Sequence, residues 1–170
     1  MMEVRGKRTE IYVQPGEVAA GGATHVFKTL LGSCVSITLW HPQRKIGAIS
    51  HFLLPSRGKM LNAELDGRYA DEAVPLLCRL LSRAGIDPVE CQAKVFGGGR
   101  MFAGESQPGD LWVGQRNGDI ARDLLHARGI KIVSEDLFGI GHRKLVFDVS
   151  NGDVWSRQVQ PGDPDWQGAR

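Results

Sequence analysis

From Thr29 to Pro55 the chain reads TLLGSCVSITLWHPQRKIGAISHFLLP, two apolar runs on either side of a short polar break. Val35 to Trp40 is rich in β-branched and aromatic residues, the composition of a strand. The break His41-Pro42-Gln43-Arg44-Lys45 carries Pro42 where a type I turn favours it, and Ile46 to Leu54 resumes the apolar run. A hairpin with Pro42 and Gln43 at the centre of its turn sets Cys34 directly opposite His51. Cβ atoms of opposed residues lie about 4.5–5.5 Å apart, within reach of a thiol–imidazole hydrogen bond. A turn one residue longer pairs Cys34 with Phe52 instead and sends His51 to the other face.

The rest of the composition is that of one ordinary soluble domain. Of 170 residues 42% are hydrophobic and 24% charged, enough to bury a sizeable core. A net charge of +2 makes no case for nucleic acid or an anionic membrane as partner. No apolar run approaches the roughly 18 residues of a membrane span, and MMEVRGKRTE lacks the apolar centre of a signal peptide. Three cysteines without CxxC spacing suit a reducing, cytoplasmic setting and neither a disulfide framework nor a metal site.

In chain order, Ile11 to Val13 and His25 to Phe27 read as short strands, and Ser56 to Asp66 as a polar loop beside the hairpin. Gly67 to Ala84 has the spacing of an amphipathic helix ended by Gly85, with Pro75 expected to kink or shorten it. Cys91 to Phe96 is a strand running into Gly97-Gly98-Gly99. That triple glycine lacks the Lys-Ser/Thr of a phosphate loop and is read as a turn close to other backbone. Asn117 is placed to cap a second helix reaching Arg128. Ile130 to Ser134 is a strand, and Lys144 to Val149 and Val154 to Val159 flank an Asn151-Gly152 hairpin turn. The expected fold class is α+β: a layered sandwich of mixed, mostly antiparallel β-sheet with two principal helices. One domain over residues 1–160 is expected, with a loose tail over 161–170.

A thiolate is the reactive form of cysteine, and a neighbouring imidazole both generates it and returns the proton later. Gly32 and Ser33 suit a tight turn that aims backbone N–H groups, including that of Cys34, at a developing oxyanion. Spacing alone also allows the plainer structural role, Cys34 as a small buried side chain and His51 as a hydrogen-bonded strand residue. Cys78 and Cys91 read as core residues, and His25, His41, His126 and His142 as solvated turn or helix residues.

The segment Leu31-Gly32-Ser33-Cys34-Val35 with His51 and Leu54-Pro55 resembles the CheD family, the chemoreceptor glutamine deamidases of bacterial chemotaxis. Further matching blocks are Gly67-Arg68-Tyr69-Ala70-Asp71, Lys94-Val95-Phe96-Gly97-Gly98, Met101-Phe102, Gly114-Gln115-Arg116-Asn117, Glu135-Asp136 and Gly141-His142-Arg143-Lys144. The resemblance implies a fold similar to the catalytic domain of cytotoxic necrotizing factor toxins. It implies hydrolysis of glutamine side chains on methyl-accepting chemotaxis receptors, without metal or organic cofactor. It makes Cys34 the nucleophile, His51 the base and acid, and receptors, with a CheC-type phosphatase, the partners. The family's third residue is a threonine six positions before the cysteine. Here Lys28 stands there and Thr29 follows, so a rigid register turns Thr29 away and leaves three options for orienting His51: a bulge that restores Thr29, a backbone carbonyl, or Ser50.

Overall fold

The computed structural model describes residues 6–58, 62–101, 112–159 and 162–163. Phe102 and, apart from Gly162 and Asp163, the expected tail over 161–170 lie outside the described residues.

Among the described residues nine strands form two sheets. The first contains β1 (Thr9–Tyr12), β3 (His25–Leu31), β8 (His142–Asp148) and β9 (Val154–Val159), in that order. The second runs β2 (Val18–Gly21), β5 (Ile46–Ser50), β4 (Val35–His41), β6 (Gln92–Gly97) and β7 (Lys131–Leu137). Among these strands the β1–β3 and β6–β7 pairs are parallel and the other neighbours pair antiparallel. Helices α1 (Ala70–Arg83) and α2 (Val113–Ala127) cover one face of the second sheet. The architecture is the expected layered α+β arrangement, with two principal helices.

Each buried layer follows from the alternation of side chains along a strand. On β4, Val35, Ile37 and Leu39 face the helices and meet Ala73, Val74, Leu77, Leu81, Ala121 and Leu125. The next residue in each case faces the other way. Trp40 and Cys34 join Ile49 and Phe96 against Phe27, Leu31, Leu145 and Phe147 of the first sheet. Burial of these two apolar layers, at roughly 25 cal/mol per Å2, is the main stabilising contribution.

Three local expectations are corrected. The β4–β5 turn has four residues, Pro42 to Lys45, closed by the Lys45 N–H donating to His41 O at 2.9 Å with Lys45 in the left-handed region (φ 48°). Thr38 therefore pairs with Ile49, and Val35 with Phe52, a shift of two residues from the two-residue turn. An even shift keeps every side chain on its face. Next, α1 starts at Ala70 and continues through Pro75 to Arg83; the proline leaves the Asp71 carbonyl without its helical donor, and packing of the apolar stripe carries the helix past it. Finally, α2 starts at Val113, so Asn117 lies inside it as a buried residue and does not cap it. Gly85 and Gly129 close the two helices in the left-handed conformation (φ 77° and 69°), as a C′ glycine does.

Candidate active site

The site lies between the sheets at the end of β4 where the Gly32–Cys34 turn enters it. Continuing the observed register, Ser36 is opposite His51, and Cys34 is its diagonal neighbour on the same face. Diagonal neighbours have Cα atoms about 7–8 Å apart with Cβ atoms closer. Cys34 is half-buried and a free thiol, whereas His51 is 2% exposed.

His51 is held on all sides. Its N–H donates to Glu17 O at 3.2 Å and its carbonyl accepts from Gly16 N–H at 2.7 Å. Its ring Nδ1 is 2.8 Å from Thr29 Oγ1, and Thr29 Oγ1 is also 2.7 Å from Val13 O. A carbonyl only accepts, so the single hydroxyl proton of Thr29 goes to Val13, and Thr29 accepts from Nδ1–H. That assignment puts the proton on Nδ1 and the lone pair on Nε2.

Thr29 thus sits on the imidazole without any bulge in β3. Phe27, Thr29 and Leu31 face the sheet interior, while Lys28 points outward and pairs with Glu10 at 3.1 Å. The count of six positions runs through the Gly32-Ser33 bend, where strand alternation does not hold. Ser50 is engaged elsewhere: its Oγ accepts from Ile37 N–H at 3.2 Å.

Burial raises the Cys34 thiol above its ordinary pKa, opposed in part by its own backbone N–H beside the sulfur. Burial also pushes His51 down to about 4, with the Val13 carbonyl and the charge of Glu17 pulling the other way. The resting pair at neutral pH is therefore a neutral thiol and a neutral imidazole.

The turn is backed by the triple glycine, as read from the sequence. Gly98 N–H donates to Cys34 O and Gly99 N–H to Gly32 O, both at 2.9 Å. Gly97 has φ 113°, and a Cβ on it would overlap the Cys34 carbonyl. Arg143, 1% exposed, secures this wall from β8 by donating to Gly97 O at 2.7 Å and Phe138 O at 2.5 Å. It also pairs with Asp136 at 3.2 Å.

Asn117 is a residue of the site that sequence reading misses. Its Nδ2 donates to Ser33 O at 3.0 Å and Leu53 O at 2.8 Å. The signal was present: Asn117 is in phase with the buried Ala121 and Leu125 of the same helical stripe. Of the remaining histidines, His41 is buried on Glu90 (3.1 Å) and not solvated; His25 and His142 are half-buried strand ends, and His126 is exposed. Cys78 and Cys91 are buried, remote in the helix–sheet layer. The loop after Pro55 is tied to α1 through Arg57 and Glu72 at 2.8 Å. Among the described residues no group of three or more His, Cys, Asp or Glu side chains is arranged to hold a metal ion, and no helix is long and apolar enough to cross a membrane.

A layered α+β protein with a thiol and an imidazole on the inner face of one sheet, and a hydroxyl from the facing sheet on that imidazole, has the make-up of the Cys–His hydrolase class. Comparison with known proteins narrows this. The chain belongs to the CheD family: residues 53–158 match the family model described as CheD chemotactic sensory transduction. It is 55% identical to the probable chemoreceptor glutamine deamidase CheD 2 of Albidiferax ferrireducens, over 94% of this chain and 93% of that one. It is 43% identical to the probable chemoreceptor glutamine deamidase CheD 3 of Dechloromonas aromatica, over 94% of both chains. Identity is 45% to the protein named probable chemoreceptor glutamine deamidase CheD in Pseudomonas savastanoi, over 87% of this chain and 84% of the relative.

Proposed function

We propose that this chain is a protein-glutamine deamidase that hydrolyses selected glutamine side chains of methyl-accepting chemotaxis receptors to glutamate and ammonia. The names of its relatives supply the substrate class. The observation that carries the chemistry is the Thr29–His51 hydrogen bond, which leaves Nε2 basic on the face that Cys34 shares.

In this mechanism His51 Nε2 takes the Cys34 proton as sulfur attacks the glutamine Cδ, since neither group is charged at rest. The S–C bond forms and the carbonyl π pair moves to oxygen, where backbone N–H groups of Ser33 and Cys34 receive it. The imidazolium gives its proton to the amide nitrogen, the C–N bond breaks, and ammonia leaves a thioester. His51 then draws a proton from water, the hydroxide oxygen adds to the thioester, and collapse releases glutamate while the proton returns to sulfur. Thr29 keeps Nδ1 protonated throughout and does not itself exchange a proton with substrate.

The receptor's cytoplasmic helical region is the proposed substrate surface, which sets the reaction in the cytoplasm. A CheC-type phosphatase is a second proposed partner on the resemblance alone, and co-purification is its check. The decisive experiment is mass spectrometry of a receptor cytoplasmic fragment after incubation with the chain. A gain of about one dalton at specific glutamines, lost with Cys34→Ala, is expected from amide hydrolysis by a thiol; full activity in that variant would refute the assignment.

A further inference from the structure

Three successive carbonyls at the nucleophile turn are each tied down. Gly32 O accepts from Gly99 N–H and Cys34 O from Gly98 N–H. Ser33 O, between them, accepts from the side chain of Asn117. The second hydrogen of the same Nδ2 goes to Leu53 O, so one amide joins the residue before Cys34 to the chain two residues after His51. Two carbonyl acceptors also dictate which end of the Asn117 amide is nitrogen. Asn117 is 0% exposed, and its Oδ1 finds no partner among the described residues. A buried acceptor left unpaired is destabilising, so packing does not explain an asparagine on a stripe whose next members are Ala121 and Leu125.

A trans peptide is planar, with its C=O and N–H pointing in opposite directions. Fixing the Ser33 carbonyl therefore aims the Cys34 N–H, and fixing the Gly32 carbonyl aims the Ser33 N–H. Among the described residues neither of these N–H groups donates to a backbone carbonyl. The Cys34 N–H lies beside its own sulfur.

We propose that Asn117 is a positioning residue for oxyanion stabilisation: through the planar Ser33–Cys34 peptide it holds the Cys34 N–H on the oxygen that becomes negative when Cys34 attacks. The role rests on the deamidase function proposed above. Its contribution exists in the transition state and not in the bound ground state, which assigns its effect to kcat.

Asn117→Leu keeps close to the volume and removes both donors, while Asn117→Ser retains one. With a receptor fragment as substrate, kcat is expected to fall about tenfold to a hundredfold for Asn117→Leu, below or at the range for deleting an oxyanion donor outright. The loss is smaller for Asn117→Ser, and KM is unchanged in both. Alkylation of Cys34 by iodoacetamide, a displacement that generates no oxyanion, proceeds at the unsubstituted rate in the same variants. Loss of both rates together, or an unchanged kcat, overturns the proposal. A measurement on the unsubstituted protein stands apart from whether the variants fold. A receptor peptide with an aldehyde in place of the target amide adds the Cys34 S–H across its C=O, forming an S–C bond and a hydroxyl. The Ser33 and Cys34 amide proton resonances are expected to move downfield when this adduct forms; resonances that stay in place overturn the proposal. A failure of the deamidase function itself is distinguished by the unsubstituted chain, which would then leave receptor glutamines at their original mass.

Discussion

Thr29 accepts a hydrogen bond from His51 Nδ1 at 2.8 Å while its own hydroxyl donates to Val13 O at 2.7 Å. An uncharged hydroxyl therefore does for this imidazole what a carboxylate does in the Ser-His-Asp arrangement, selecting the tautomer without adding a negative charge. The absence of that charge is consistent with a His51 pKa held as low as about 4.

Thr29→Val, which keeps the shape and removes the hydroxyl, is expected to lower kcat by roughly fivefold to tenfold. That is the rate equivalent of one lost hydrogen bond of about 1–1.5 kcal/mol. Thr29→Ser restores most of the rate. Steady-state assays of ammonia release compare the three proteins, and a Thr29→Val enzyme at full kcat would remove Thr29 from the mechanism.

The pH behaviour follows from the two buried groups. His51 must be neutral to take a proton, so kcat/KM falls on the acid side near pH 4 and is flat through neutrality. The raised Cys34 pKa keeps thiolate scarce at pH 7, and alkylation in the absence of substrate accelerates only under alkaline conditions. Stability shares the acid dependence. Because folding depresses the His51 pKa from 6.5 to about 4, the unfolded chain binds more protons in that interval. Its contribution is present above pH 6.5 and is lost as pH falls toward 4, up to about 3 kcal/mol. Urea denaturation of the chain and of His51→Asn at pH 7 and pH 4.5 measures it: the variant is expected to lose less stability on acidification.

Gly97→Ala combines a left-handed backbone with a clash on the Cys34 carbonyl. The strain costs about 1–3 kcal/mol, a fall of several degrees in Tm for a chain of this size. Activity falls further than stability accounts for, because relief comes by displacing Cys34. Calorimetry and assay below the transition separate the two effects.

Arg143→Met takes the guanidinium from the Phe138 carbonyl and leaves Gly97 O with the Phe138 N–H alone, at a cost of about 1–3 kcal/mol. Arg143→Lys does not recover it, since one ammonium does not span acceptors that a planar guanidinium bridges. Chemical denaturation of both variants gives the comparison; a stable Arg143→Lys would show that charge, and not the fork, matters.

Strand alternation made one face of the β4–β5 hairpin legible in the sequence. The register was not, because β4 is buried on both faces and its apolar pattern does not report the length of the turn. An even shift spared the pairing of faces; an odd one would have dismantled the site. Thr29 was obscured by counting through the Gly32-Ser33 bend, and Asn117 because a buried polar residue and a helix cap look alike ahead of an apolar stripe. The division into two sheets depends on β1 and β3 meeting β8 and β9 from the far end of the chain, a non-local pairing that local propensity does not encode.

That pairing has a consequence for when the protein becomes competent. The strand bearing Thr29 is flanked on one side by β8, with Thr29 in register with Leu145. A nascent chain that has emerged only as far as α2 contains Cys34, His51 and Thr29 yet lacks the neighbour that locks the last of them in place. Translation must pass β8 before Thr29 is fixed on His51, so shorter ribosome-bound fragments lack the contact that selects the tautomer of the imidazole.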